Sequence, residues 1–71
     1  MIDVFVVVEG DSDINYQNNL CVFHKFYEAM SFVNDYMSKK KCNWAPYKTK
    51  DGSLVWKSSN NWIRIENFNI T

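Results

Sequence analysis

One amphipathic helix constrains what this chain can fold into. Between about Lys25 and Lys40, apolar side chains recur every three or four residues and therefore share one helix face. These residues are Phe26, Ala29, Met30, Val33 and Met37. A lone helix cannot bury its own apolar stripe, so the flanking segments must supply a sheet to cover it.

Strand signals lie on both sides of this helix. Ile2 to Val8 is rich in valine and apolar on both faces in its middle, which favours a central strand. Leu20 to Phe23 is predicted to pair with it, after a polar loop from Glu9 to Asn19. The Asp51-Gly52 pair indicates a hairpin turn between strands at about Tyr47–Lys50 and Ser53–Lys57.

The last predicted strand runs from Trp62 to Ile70 and has two possible phases. Ile63 and Ile65 share one face, whereas Phe68 and Ile70 fall on the other. A β-bulge near Glu66-Asn67 would bring all four apolar residues to the core. Without a bulge, the alternate face consists of Trp62, Arg64, Glu66, Phe68 and Ile70.

These signals predict a single α+β domain over residues 1–71. We expect one helix packed on an antiparallel sheet of about four strands, in the order β-β-α-β-β. An exposed edge strand in so small a sheet could pair with a second copy, so a monomer and a homodimer both stay open.

Charge and cysteine usage limit the class of protein. Residues 1–24 carry a net charge of minus four and residues 25–71 plus four, an asymmetry that suggests a polar partner or a dipolar surface, with two solvated faces as the structural alternative. Two cysteines are too few for a disulfide framework, and no apolar segment reaches the length of a membrane span. With no signal-peptide pattern, we expect a cytoplasmic protein.

No catalytic or cofactor signature is present in the sequence. Asp11-Ser12-Asp13 lacks the spacing of a calcium loop and is interpreted as a solvated loop. His24 is interpreted as a junction residue, since no partner is marked for it, and Cys42 follows a lysine run that could lower its thiol pKa. We therefore expect no enzyme activity, no metal and no cofactor.

The surplus of aromatic residues points to a binding surface. Twelve of 71 residues are Phe, Tyr or Trp, more than one small core needs, although two of the three tryptophans could complete that core. Trp and Tyr often anchor protein interfaces. The predicted partner-binding residues are Trp44, Tyr47, Lys48, Lys50, Trp56, Lys57 and Trp62.

Nucleic-acid binding is the alternative hypothesis. Lysines interleaved with aromatic residues suit phosphate contacts combined with base stacking. The lysines are Lys39, Lys40, Lys41, Lys48, Lys50 and Lys57. Neutral net charge and a single arginine argue against this alternative.

Several segments also resemble a family of short, uncharacterised bacterial and phage proteins. The matching segments are Val4–Glu9, Cys21–Phe23, Glu28-Ala29, Phe32-Val33 and Ile65–Ile70. The chain departs from the family at Cys21, usually Gly, at His24-Lys25, usually Ser-Ser, and in the hairpin over 44–57. The resemblance implies a β-β-α-β-β arrangement and brings no active site.

In size and style the chain is also similar to small phage inhibitors of host defence, such as anti-CRISPR proteins. This likeness implies a phage-type accessory protein in the cytoplasm of a host cell. We therefore expect a non-enzymatic protein that binds and modulates or inhibits a host protein or defence complex.

Overall fold

The computed structural model describes residues 2–40, 43–49 and 53–70. In chain order its elements are β1 (Ile2–Asp11), β2 (Tyr16–Phe23), α1 (Phe26–Lys40), β3 (Ala45–Lys48), β4 (Leu54–Ser58) and β5 (Asn61–Ile70). The five strands form one antiparallel sheet in the order β2-β1-β5-β4-β3. The α+β class and the helix-on-sheet arrangement predicted from the sequence are confirmed.

The predicted number and order of strands are wrong in detail. There are five strands rather than about four, and the order is β-β-α-β-β-β. The difference is one strand, because both strands of the hairpin, β3 and β4, join the sheet through the pairing of β4 with β5. The hairpin pairing itself is confirmed, while the Asp51-Gly52 turn lies outside the described residues.

The core lies between α1 and one face of the sheet. Fully or almost fully buried residues from the helix and the two central strands meet there, namely Val7, Ala29, Val33, Ile63 and Ile65. The predicted apolar stripe of the helix is confirmed at Ala29 and Val33, with Met30 and Met37 packed beside them. Phe26 is 45% exposed, and its ring meets that of Phe5 edge-on.

The predicted polar loop from Glu9 to Asn19 is largely strand. Pairing between β1 and β2 continues to Asp11 and Tyr16, so only residues 12–15 form the turn. Asn15 has a φ of 54°, which an Asn tolerates better than most residues. The loop was predicted because this segment lacks the apolar alternation that identifies a strand in a sequence. Backbone pairing nevertheless extends the two strands here, since it does not require apolar side chains.

Of the two phases that the sequence left open for the last strand, the one without a β-bulge near Glu66-Asn67 forms. β5 pairs with β1 in unbroken register from Ile70 opposite Ile2 to Asn61 opposite Asp11. The shift in register lies instead between β1 and β2, where Val7 pairs with Cys21 and Val8 with Asn19, which leaves Leu20 as the extra residue. The alternate face of β5 therefore forms, and Phe68 remains 49% exposed on it.

Candidate functional site

The helix covers one face of the sheet, and in the described part of the chain no other element packs over the opposite face. Successive side chains of a strand alternate between the two faces. Because Val7 and Ile63 face the helix, Val8 and Arg64, which pair with each other, face away from it. We call this uncovered surface the open face. Its described residues on the four strands β1, β3, β4 and β5 include Val4, Val6, Val8, Gly10, Tyr47, Val55, Lys57, Trp62, Arg64, Glu66 and Phe68.

One half of the open face is a groove with aromatic and cationic walls. The groove has a volume of about 400 Å³, and its walls include Tyr47, Val55, Lys57, Trp62 and Arg64. The Lys57 Nζ lies 4.4 Å from the centre of the Tyr47 ring, and the Arg64 guanidinium carbon lies 5.0 Å from that of Trp62. Each cation therefore sits within cation–π distance of a ring in the same groove.

Strand pairing holds these groups in place. Lys57 lies opposite Trp62, and Val55 lies opposite both Arg64 and Tyr47. The Nε and Nη2 atoms of Arg64 donate to Glu66 Oε1 at 3.1 and 2.7 Å, from the same face of β5. Both side chains are about 30% exposed, so this ion pair is partly shielded from solvent.

The rim of the groove is built from two turns that are hydrogen-bonded to each other. Ser12, in the turn between β1 and β2, donates from its backbone N and from Oγ to the carbonyl oxygen of Asn60, at 2.8 and 3.1 Å. Asn60 lies in the turn between β4 and β5, where Ser59 has a φ of 56°. The rim is therefore polar and fixed by backbone contacts.

The other half of the open face is apolar. Val4 and Val6 of β1 lie beside Phe68 and Glu66 of β5, and Val22 of β2 pairs with Val6. Phe68 is 49% and Val22 55% exposed, although both are large apolar side chains. An apolar patch beside a polar and cationic groove is typical of a surface that binds another protein.

The structure brings together three of the seven residues predicted to bind a partner. Tyr47, Lys57 and Trp62 lie in the groove. Trp44 and Trp56 instead pack against the core on the helix side. Two of the three tryptophans thus complete the core, as the composition allowed.

The lysines of the nucleic-acid hypothesis are dispersed. Lys48 alternates with Tyr47 and so lies on the helix side of edge strand β3. At the end of α1, Lys39 forms an ion pair with Asp35 at 3.2 Å, and Lys40 lies 5.2 Å from the Tyr36 ring. Lys41 and Lys50 lie outside the described residues. Lys57 is the member of that set that lies in the groove.

Sequence reasoning did not select Arg64, Val55 or Gly10 as site residues. The signal for Arg64 was present, because the unbulged phase of β5 places it on the same face as Trp62. Gly10 contributes by having no side chain. It pairs with Trp62, and the indole ring occupies the space that a Cβ at position 10 would need.

A second polar cluster lies on the helix side around Glu9. Its carboxylate accepts a short hydrogen bond from the Tyr36 hydroxyl and one of 3.5 Å from the Tyr16 hydroxyl. Burial, and then the Glu9 carboxylate, raise the pKa of Tyr36 well above its ordinary value. The indole nitrogen of Trp44 is buried nearby and has no hydrogen-bond partner among the described residues.

The sequence analysis also considered an acidic turn, the histidine and the two cysteines as candidate functional groups. Asp11 Oδ1 accepts from the backbone N of Asp13 at 2.9 Å, which stabilises the turn after β1. His24 is exposed between β2 and α1, at the predicted junction. Cys21 has a free thiol on β2, and Cys42 lies outside the described residues.

Comparisons of this chain with models of protein families, with curated proteins and with solved structures found nothing that matches it. In the described ranges, no helix has the length and apolar character needed to cross a membrane.

Proposed function

We propose that this protein is a non-enzymatic binding module whose open face holds a protein partner with acidic and apolar side chains. The observation that carries the proposal is the meeting of Tyr47, Lys57, Trp62 and Arg64 in one groove beside an exposed apolar patch. Tyr, Trp and Arg are the residue types that most often dominate binding energy at protein interfaces.

The charge of the groove favours an acidic partner. Lys57 and Arg64 both line it, so with Glu66 paired to Arg64 the three side chains sum to one positive charge, and the guanidinium keeps N–H donors beyond those that bond Glu66. A carboxylate of the partner could accept hydrogen bonds from these cations beside the rings of Tyr47 and Trp62. Charge-assisted hydrogen bonds of this kind are stronger than neutral ones.

The apolar half of the open face would supply the rest of the contact. Val4, Val6 and Phe68 are next to the groove, so leucine or phenylalanine side chains of the partner can be buried there. We further propose, in line with the likeness in size and style to phage inhibitors, that binding modulates or inhibits a host protein or defence complex in the host cytoplasm.

Single-stranded nucleic acid is the second candidate, and one observation favours it. Tyr47 and Trp62 offer rings for base stacking, with Lys57 and Arg64 available for phosphates. Against it, eight basic residues are balanced by eight acidic ones, and Lys39, Lys40 and Lys48 lie away from the groove. We therefore rank it below a protein partner.

Selection from a display library of random peptides tests the proposal. The wild-type protein should enrich sequences that combine Asp or Glu with large apolar residues, and a Lys57→Glu variant should not. A Lys48→Glu variant is the matched control, because Lys48 lies on the next strand but on the opposite face. If the wild-type protein enriches no such peptides, or if Lys57→Glu and Lys48→Glu enrich them equally, the open face is not the binding surface. Tight binding of a labelled oligothymidine that weakens steeply with salt would favour nucleic acid instead.

A further inference from the structure

The two outer strands of the sheet differ in how they limit further strand pairing. β3 is four residues long and contains Pro46, which has no backbone N–H, and the charged Lys48. Such features block the addition of another strand. β2 is eight residues long, and its sequence Tyr-Gln-Asn-Asn-Leu-Cys-Val-Phe contains neither a proline nor a charged residue. Its one irregularity is the extra residue at Leu20.

The outer edge of β2 is accessible. The side chains of residues 16–19 are exposed, and Val22 is 55% exposed. In the described part of the chain, no backbone hydrogen bond outside the helix and strand ladders reaches β2. About half of the backbone N–H and C=O groups of an edge strand point outward and can pair with another strand.

Opposite charges lie beyond the two ends of β2. The turn before it contains the exposed Asp13, and the junction after it contains the exposed Lys25. In an antiparallel pairing of two β2 strands centred on Asn19, the turn that contains Asp13 of each copy lies at the same end of the contact as the junction that contains Lys25 of the other. A parallel pairing would instead bring the acidic ends together.

We propose that two copies of this protein associate through antiparallel pairing of their β2 strands. The pairing has twofold symmetry and joins two five-stranded sheets into one continuous sheet. Asp13 of each copy lies near Lys25 of the other, so both ends of the contact are complementary in charge. This association uses the edge of the sheet opposite β3, and it does not depend on the proposed function.

Sedimentation equilibrium tests the pairing. Wild-type protein should reach twice the mass of a single chain as its concentration rises into the high micromolar range. Asn19→Lys and Asn19→Glu should each weaken association by at least about tenfold, because like charges then face each other at the symmetry axis. An equimolar mixture of the two variants should recover the double mass. Position 19 is exposed, so circular dichroism should show both variants folded.

Charge exchange tests the orientation. Lys25→Glu and Asp13→Lys should each weaken association by roughly fivefold, and the double variant should restore it. Lys48→Glu, on the other edge of the sheet, is the control and should leave association unchanged. Wild-type protein that keeps the mass of one chain over the whole range would overturn the proposal. Asn19→Lys protein that associates as well as wild type would overturn it too.

Discussion

The indole ring of Trp62 lies over Gly10, its partner on the neighbouring strand. A Cβ built on Gly10 would overlap two atoms of that ring and would come within 2.7 Å of the Tyr16 carbonyl oxygen. The absence of a side chain at position 10 thus lets the ring rest on the sheet and form one wall of the groove. One glycine in β1 therefore sets the position of an aromatic residue of the candidate site.

Gly10→Ala should destabilise the protein through this contact. We expect the free energy of unfolding to fall by about 1–3 kcal/mol, the usual cost of forcing extra atoms into a packed site. In the double variant Gly10→Ala with Trp62→Ala, part of that cost should disappear, because the ring that the Cβ meets is gone. Urea denaturation of all four proteins measures the coupling. Strictly additive effects would show that the ring does not occupy this space.

The burial of Tyr36 and its hydrogen bond to Glu9 should together make the stability of the protein depend on pH in the alkaline range. The pKa of Tyr36 is raised in the folded protein, so above about pH 10 the unfolded chain releases this proton while the folded chain retains it. The stabilisation is fully present below that pH and is lost as pH rises toward the folded pKa.

Tyr36→Phe should therefore lose less stability than wild type between about pH 8 and pH 11. Tyr27→Phe is the control, since Tyr27 is 65% exposed and should behave like wild type. Thermal unfolding followed by circular dichroism gives the comparison. An equal loss for Tyr36→Phe and wild type would contradict the assigned pKa direction.

The sequence contained enough information for the class of fold but not for its details. The 3.6-residue repeat of Ala29 and Val33 and the valines of β1 identified the helix and the central strand correctly. The same reasoning missed the strand pairing of Gly10 with Gln17, because both faces of that hairpin end carry polar residues. Long-range backbone pairing, which side-chain periodicity does not report, extended the strands there.

The candidate site was predictable only in part, for a related reason. Tyr47, Lys57 and Trp62 were selected as residue types that bind partners, and strand pairing then placed them together. Trp56 has the same residue type but the opposite orientation, since it is one residue from Lys57 on β4. Without the register of the sheet, composition alone does not separate the tryptophan that lines the groove from the two in the core.

Substitutions at the neighbouring positions 56 and 57 should therefore differ in their effect on the free energy of unfolding. Trp56→Ala should lower the free energy of unfolding by about 2–4 kcal/mol, because a large side chain packed against the core is removed. Lys57→Glu should lower it by no more than about 1 kcal/mol, the value of an exposed cation–π contact. Urea denaturation checks both values, and the reverse ranking would mean that the faces of β4 are assigned incorrectly.

Glu66→Gln should strengthen binding of an acidic ligand. The substitution removes the carboxylate that pairs with Arg64, so the guanidinium becomes more available to the groove. We expect a several-fold lower Kd for an acidic peptide and a change in stability of no more than about 1 kcal/mol. Calorimetric titration of the peptide selected by the wild-type protein gives the Kd. A weaker complex would indicate that Arg64 needs Glu66 to hold its position.

The most direct test of the central claim is capture from a bacterial lysate, before and after nuclease treatment, by wild type, Lys57→Glu and Lys48→Glu. The two variants make the same charge change on adjacent strands and differ in the face of the sheet that they alter. We predict that wild type and Lys48→Glu retain the same protein at moderate salt and that Lys57→Glu loses it. Equal retention by both variants, or retention of nucleic acid alone before nuclease treatment, would contradict a protein-binding open face.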